Sequence, residues 1–213
     1  KEMGYVQKMG LRVLNNEKSH LIAVVINYHK DFKDSILGDP FYGKILGFIE
    51  KYVQEQDYYL MLYSAKDTDK IFQMVMGWDV DGVIAISFSK SNCEKIYQLI
   101  NKPIVSIDAY GELDAGQENH VLNIGLDDES GGYLMTKYLL ECGYEHIQVC
   151  AGRDNGVDHF RYMGAQRAAK EFAGKKQKVQ FTALGMNYAK RKESYAWLIQ
   201  RKKPKTALFF LSD

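Results

Sequence analysis

Gly38-Asp39-Pro40-Phe41-Tyr42-Gly43-Lys44 has the glycine and lysine spacing of a phosphate-binding loop, G-x4-G-K. Such a loop cradles phosphates on backbone N–H groups and needs Ser or Thr after the lysine to hold magnesium. Here Ile45 follows, Pro40 removes a donor, Asp39 would repel a phosphate, and the nearest upstream apolar run ends at Ile26. No nucleotide site is expected. His20, His29, His120, His146 and His159 are scattered, and no Cys/His pair has zinc-ligand spacing, so neither a metal nor a cofactor is expected. There is no G-x-S-x-G elbow and no local Cys–His signature for nucleophilic catalysis. Asp127, Asp128 and Glu129 stand together as acid–base carboxylates would, but the same acids suit the cap and first turn of a helix. Basic clusters at 175–178, 190–192 and 201–205 lack interleaved aromatics and adjoin helix ends, which reads as solvated charge. The chain is not expected to be an enzyme.

Composition narrows the class further. The chain has 213 residues, enough for one large or two small domains, with 46% hydrophobic and 26% charged residues. A net charge of +1 demands neither nucleic acid nor a membrane as partner. Three cysteines without a pattern argue against a disulfide framework and fit a reducing cytoplasm. No apolar run approaches the roughly 20 residues that span a bilayer, and no signal-peptide core follows Lys1-Glu2-Met3.

The elements that would position a site are legible as alternating patterns. Short β-rich runs lie at 21–26, 59–64, 82–86, 104–107, 121–124, 147–150, 179–182 and 207–211. Several are apolar at every position, as in strands covered on both faces of a parallel sheet. Helical spacing fills the gaps at 41–56, 129–142, 158–172 and 189–201. Ile45, Leu46, Ile49, Tyr52 and Val53 share a face of the first, with Asp39 as N-cap and Pro40 at the first helical position. Leu134, Met135, Tyr138, Leu139 and Cys142 form the stripe expected to be buried in the second, which Gly143 stops. The rhythm breaks only at 108–120, read as the passage between two α/β subdomains. The final strand ends the chain with no helix to cover it, which suggests truncation.

Ligands of open parallel sheets bind outside the carboxyl ends of the strands. Loops there hold Tyr28, His29, Asp39, Phe41, Tyr42, residues 87–89, Asp108, Asp127, residues 154–161 with Arg161, and Ser212 and Asp213. Aromatic faces suit the apolar face of a sugar, while carboxylates and arginine hydrogen-bond its hydroxyls. Phe41 also reads as a core residue opening its helix, Arg161 as an exposed helix arginine, and Asp213 as a helix cap.

Seven motifs in order resemble those of LacI-family transcription regulators. Gly4-Tyr5-Val6-Gln7-Lys8-Met9-Gly10-Leu11-Arg12-Val13-Leu14 is similar to the family's G-Y-x-P-N-x-x-A-R-x-L, with Gln7-Lys8 for Pro-Asn and Leu11 for Ala. The run 19–26 resembles its first strand, Asp39-Pro40-Phe41-Tyr42 its N-P-F-F, and Val80-Asp81-Gly82-Val83-Ile84 its V-D-G-I-I. Asp127-Asp128-Glu129-Ser130-Gly131-Gly132-Tyr133 resembles D-N-x-x-G-G-Y, Arg161-Tyr162-Met163-Gly164 resembles R-x-x-G, and Leu211-Ser212-Asp213 resembles A-N-D. The longer stretch at 27–38 resembles the subgroup that answers to maltose-like oligosaccharides.

The resemblance implies an α/β fold of two parallel-sheet subdomains of the periplasmic-binding-protein type, the second incomplete. Residues 1–18 would end the DNA-binding headpiece and hinge, 19–118 form the N-terminal effector-binding subdomain, and 119–213 form part of the C-terminal one. It implies a cytoplasmic, homodimeric, sugar-responsive repressor with operator DNA as partner and no membrane association. Arg161 would contact effector hydroxyls. Leu14, with Arg12 beside it, would wedge into a minor-groove step. Effector binding would re-angle the subdomains. A periplasmic sugar-binding protein of a transport system is the alternative.

Overall fold

A computed structural model of the chain describes residues 10, 15, 17–28, 36–172, 177–185 and 187–212. They divide into two compact units, one running to Gly125 and the other from Leu126.

The first unit is a parallel sheet of β1 (Leu21–Asn27), β2 (Tyr59–Ala65), β3 (Gly82–Ile86), β4 (Ile104–Ile107) and β5 (Leu122–Ile124), in the order β2-β1-β3-β4-β5. Helices α1 (Pro40–Glu55), α2 (Thr68–Gly77) and α3 (Lys90–Ile100) connect the strands. Ala23, Val24, Val25 and Ile26 of β1 are all buried, so the uninterrupted apolar run marks a strand covered on both faces. The core of this unit joins Val25, Ile71, Val75, Val83, Phe88 and Ile96.

The V-D-G motif has a structural reason here. The Asp81 carboxylate accepts hydrogen bonds from Ser19 N at 3.1 Å, Ser19 Oγ at 3.1 Å and His20 N at 2.9 Å, tying the start of β1 to the approach of β3. The crossing at 108–120 is irregular, yet it is fastened to α3. His120 donates its backbone N–H to the buried Glu94 carboxylate at 3.0 Å, its ring Nδ1 lies 2.6 Å from the same group, and Tyr97 stacks on the imidazole. Because β5 pairs with β4, the first unit extends through Gly125, past the 118/119 division read from the sequence.

The second unit contains α4 (Asp128–Glu141), β6 (His146–Ala151), α5 (Gly156–Glu171), β7 (Lys178–Ala183), α6 (Tyr188–Arg201) and β8 (Thr206–Phe210). Its described strands form a parallel sheet in the order β7-β6-β8. Ile147, Val149, Ala165 and Leu140 build the core.

One expectation is overturned. The stripe Leu134, Met135, Tyr138 and Cys142 of α4 faces outward, and the buried face is Gly132, Thr136 and Leu140. The reason is the partner helix. A Cβ on Gly132 would be driven into the carbonyl oxygen of Arg161, and one on Gly164 into that of Glu129. Small residues let α4 and α5 meet at backbone distance, so the larger apolar side chains stand on the other side. In α1, Leu46 is buried and Ile45, Ile49 and Val53 are partly buried as expected, but Tyr52 is exposed. Among the described residues no helix is long and apolar enough to cross a membrane.

Candidate functional site

In the first unit the candidate residues gather at the carboxyl ends of β1 and β3, where the order β2-β1-β3 reverses the direction of strand addition. Such reversals leave the crevice where open α/β sheets bind ligands. Tyr28 follows β1, donates its backbone N–H to Ala65 O at 3.3 Å, and lies under the Lys66 ammonium at 5.6 Å. Asp39 caps α1, its carboxylate accepting from Phe41 N at 2.9 Å and Tyr42 N at 3.2 Å, while Pro40 occupies the first turn. This cap aims two rings from one helix end. Phe41 is 48% exposed, so it is not the core residue its apolar type allows. Its ring meets Tyr42 edge-on at 5.4 Å. The Tyr42 hydroxyl shares a 2.9 Å hydrogen bond with Ser87 Oγ, joining α1 to the end of β3.

Ser87 and Asp108 each directly follow a strand, and both have positive φ, 64° and 54°. Non-glycine residues in this region are strained by about 1–3 kcal/mol and concentrate at functional sites.

In the second unit the site centres on Arg161. Its Nε donates to Asp128 Oδ1 at 2.7 Å and its Nη1 to the Leu211 carbonyl oxygen at 2.5 Å, with Asp158 Oδ1 3.7 Å from Nη1. Asp128 opens α4, Asp158 lies in the first turn of α5 and Leu211 follows β8. The guanidinium therefore ties two helix starts to a strand end, again at a reversal in strand order. The pairs are largely shielded: 24% of the Arg161 side chain and 10% of that of Asp128 are exposed. Asp158 is pushed up from the ordinary carboxylate range by burial, an effect the Arg161 charge opposes and the Asp128 charge reinforces.

Asp127 caps α4 by accepting from Ser130 N at 3.0 Å, which holds its carboxyl below the ordinary range. Glu129 pairs with Arg167 at 2.9 Å. The three adjacent acids thus divide into a cap, an Arg161 partner and an Arg167 partner. Ser212 is exposed just after β8. Arg12, Leu14, His29 and Asp213 lie outside the described residues. Ser87, Asp128 and Asp158 stand beside the described candidates, Ser87 hydrogen-bonded to Tyr42, Asp128 to Arg161, and Asp158 3.7 Å from the guanidinium. In the sequence Ser87 and Asp158 lie within the candidate loops 87–89 and 154–161 and Asp128 among the helix-start acids, but nothing there gives the partner of Ser87 or Asp128.

A family model described as periplasmic binding proteins and sugar binding domain of the LacI family matches residues 32–207, and the chain belongs to that family. It is 28% identical over 159 residues to the sucrose operon repressor of Pediococcus pentosaceus, covering 73% of this chain and 44% of that protein. It is 23% identical over 218 residues to the transcriptional regulator CelR of Thermobifida fusca, covering 100% of this chain and 62% of that one. The fold matches the lac repressor dimer bound to operator and an anti-inducer with a TM-score of 0.69 at 14% identity, covering 92% of this chain and 66% of that chain. The chain thus spans about half the length of the curated relatives it matches.

Proposed function

We propose that this chain is the effector-binding region of a sugar-responsive transcription repressor. The observation that carries it is Arg161, preorganised by Asp128 and the Leu211 carbonyl at a ligand-binding edge of the second unit. A guanidinium held in a fixed fork suits the vicinal hydroxyls of a sugar. In the first unit the half-exposed Phe41, with Tyr28, Tyr42 and Asp108, supplies aromatic faces and a carboxylate of the same chemical class. Asp127 and Asp39 serve chiefly as helix caps that aim these groups. Ser212 and Asp213 would complete the set. The two relatives named above are a sucrose operon repressor and the transcriptional regulator CelR, and the first of these names favours a saccharide as effector.

Partners follow from the same reading. Exposed Phe48 and Tyr52 on α1, and Leu134, Met135 and Tyr138 on α4, are large apolar groups that a second copy would cover in a cytoplasmic homodimer. Arg12 and Leu14 would engage operator DNA from the hinge. Effector binding would shift the protein between two states in proportion to its differential affinity for them. No turnover is proposed.

The test is a thermal-shift screen of the full-length chain against mono- and oligosaccharides, including sucrose, cellobiose and maltose. A bound sugar raises the midpoint by mass action, and Arg161→Ala removes the shift. Operator retention in a gel-shift assay, relieved or strengthened by the same sugar, separates a regulator from a transport-system binding protein of the same fold.

A further inference from the structure

We propose that Asp158 is a second specificity-determining contact for the effector, accepting a hydrogen bond from a hydroxyl group that it holds jointly with Arg161. This rests on the sugar-effector reading above and adds to it the chemistry of one subsite.

The starting observation is an unsatisfied acceptor. Asp158 Oδ1 is shielded from solvent and has no hydrogen-bond partner among the described residues. Carboxylate oxygens in that position carry a desolvation cost that a donor would relieve. The nearest cation, Arg161 Nη1, is 3.7 Å away, close enough for charge attraction but too far for a hydrogen bond. A single oxygen can sit about 2.8 Å from both atoms across such a gap. That oxygen must accept from the guanidinium and donate to the carboxylate. A hydroxyl does both. A phosphate or carboxylate oxygen has no proton to donate, and an ammonium has no lone pair to accept.

In the present arrangement Arg161 makes no hydrogen bond to Asp158 Oδ1, because its fork is turned toward two other acceptors. Its Nε is engaged with Asp128 and its Nη1 with the Leu211 carbonyl. Two carboxylates therefore flank one guanidinium, and Asp128 holds the hydrogen bond. Asp158 lies one turn before Arg161 on α5, so helix geometry fixes their spacing. The side chains of Asp158 and Arg161 are 18% and 24% exposed, so neither is wholly enclosed, although Asp158 Oδ1 itself is shielded. Arg153 and Arg191 also act on Asp158 electrostatically, and burial outweighs them in setting the direction of its titration.

The experiment uses the full-length chain and a sugar that shifts the wild-type melting midpoint. Calorimetric titration with that sugar is compared for wild type, Asp158→Ala and the near-isosteric Asp158→Asn, together with ligand-free urea unfolding. Both variants should unfold at the same or higher urea concentration than wild type, while Asp158→Ala binds the sugar at least ten-fold more weakly and Asp158→Asn, which keeps a neutral acceptor oxygen, lies between. Among monodeoxy analogues of the sugar, one should bind wild type and Asp158→Ala equally. Undiminished sugar affinity in both variants overturns the proposal and leaves the sugar-effector reading intact. Weaker binding that merely tracks a loss of ligand-free stability also overturns it, since Asp158 would then be structural. If no sugar shifts the wild type, the sugar-effector reading fails, and the proposal with it.

Discussion

Gly132 packs so closely on Arg161 that a Cβ on the glycine would be driven into the arginine's carbonyl oxygen. Gly164 makes the reciprocal approach to Glu129. The backbone contact of α4 with α5 is therefore what brings Asp128 within 2.7 Å of Arg161. Gly132→Ala or Gly164→Ala must push the helices apart, with an expected loss of about 3 kcal/mol by analogy with overpacked cores. Urea unfolding measures the loss, and sugar affinity should fall with it as the Arg161 pairing loosens. Wild-type stability in both variants would show that the helices separate freely.

Removing the Arg161 side chain leaves Asp128 and Asp158 facing each other without a cation. Arg161→Ala should cost about 1–3 kcal/mol of stability, at the lower end of values for broken buried pairs because the group is partly exposed. Arg161→Lys keeps the charge but not the planar fork, so it should recover stability better than sugar binding. Paired urea unfolding and calorimetric titration read the two effects separately.

The raised carboxyl of Asp158 makes stability depend on pH with a definite sign. A group that holds its proton more tightly when folded stabilises fully below the unfolded pKa, about 3.9 for aspartate. That contribution is lost as pH rises through the higher folded value. Arg161, Arg153 and Arg191 temper the loss and Asp128 enlarges it. Melting midpoints of Asp158→Asn minus wild type should therefore grow more positive as pH rises from about 4. A difference that stays flat across that range would contradict the assignment.

The buried Glu94 carboxylate fastens the irregular crossing to α3 through His120. Glu94→Ala removes the acceptor for both the His120 backbone N–H and its ring, and should cost about 3 kcal/mol. Glu94→Gln retains one acceptor and should cost less. Hydrogen exchange at the His120 amide should accelerate in both variants, more in Glu94→Ala.

Asp81 accepts three hydrogen bonds from Ser19 and His20, so it anchors the point where the chain enters β1. Asp81→Ala should destabilise the first unit by about 2–4 kcal/mol, since buried N–H groups lose a charged acceptor. Asp81→Asn, which keeps an acceptor oxygen, should lie between. Urea unfolding of both variants checks the order.

Much of the fold was legible from local pattern. The apolar run of β1 marked a strand buried on both faces, and Asp39-Pro40 marked the start of α1, because burial of a whole strand and the chemistry of a helix cap are encoded by adjacent residues. The orientation of α4 was not legible. Its hydrophobic stripe suggested burial of Leu134 and Tyr138, but only the presence of α5 reveals that Gly132 and Gly164 let the backbones touch and turn that stripe outward. Asp128 read as one of three helix-start acids for the same reason, since its partner is thirty-three positions away in sequence.

By itself, the sequence determined the alternation of strands and helices, the family and the arginine around which a site could form, since each is written in short-range pattern and residue type. Tertiary structure decided which carboxylate pairs with Arg161, which is left without a donor and which face of α4 is covered. Those outcomes depend on distances between segments remote along the chain, and such distances exist only once the helices pack.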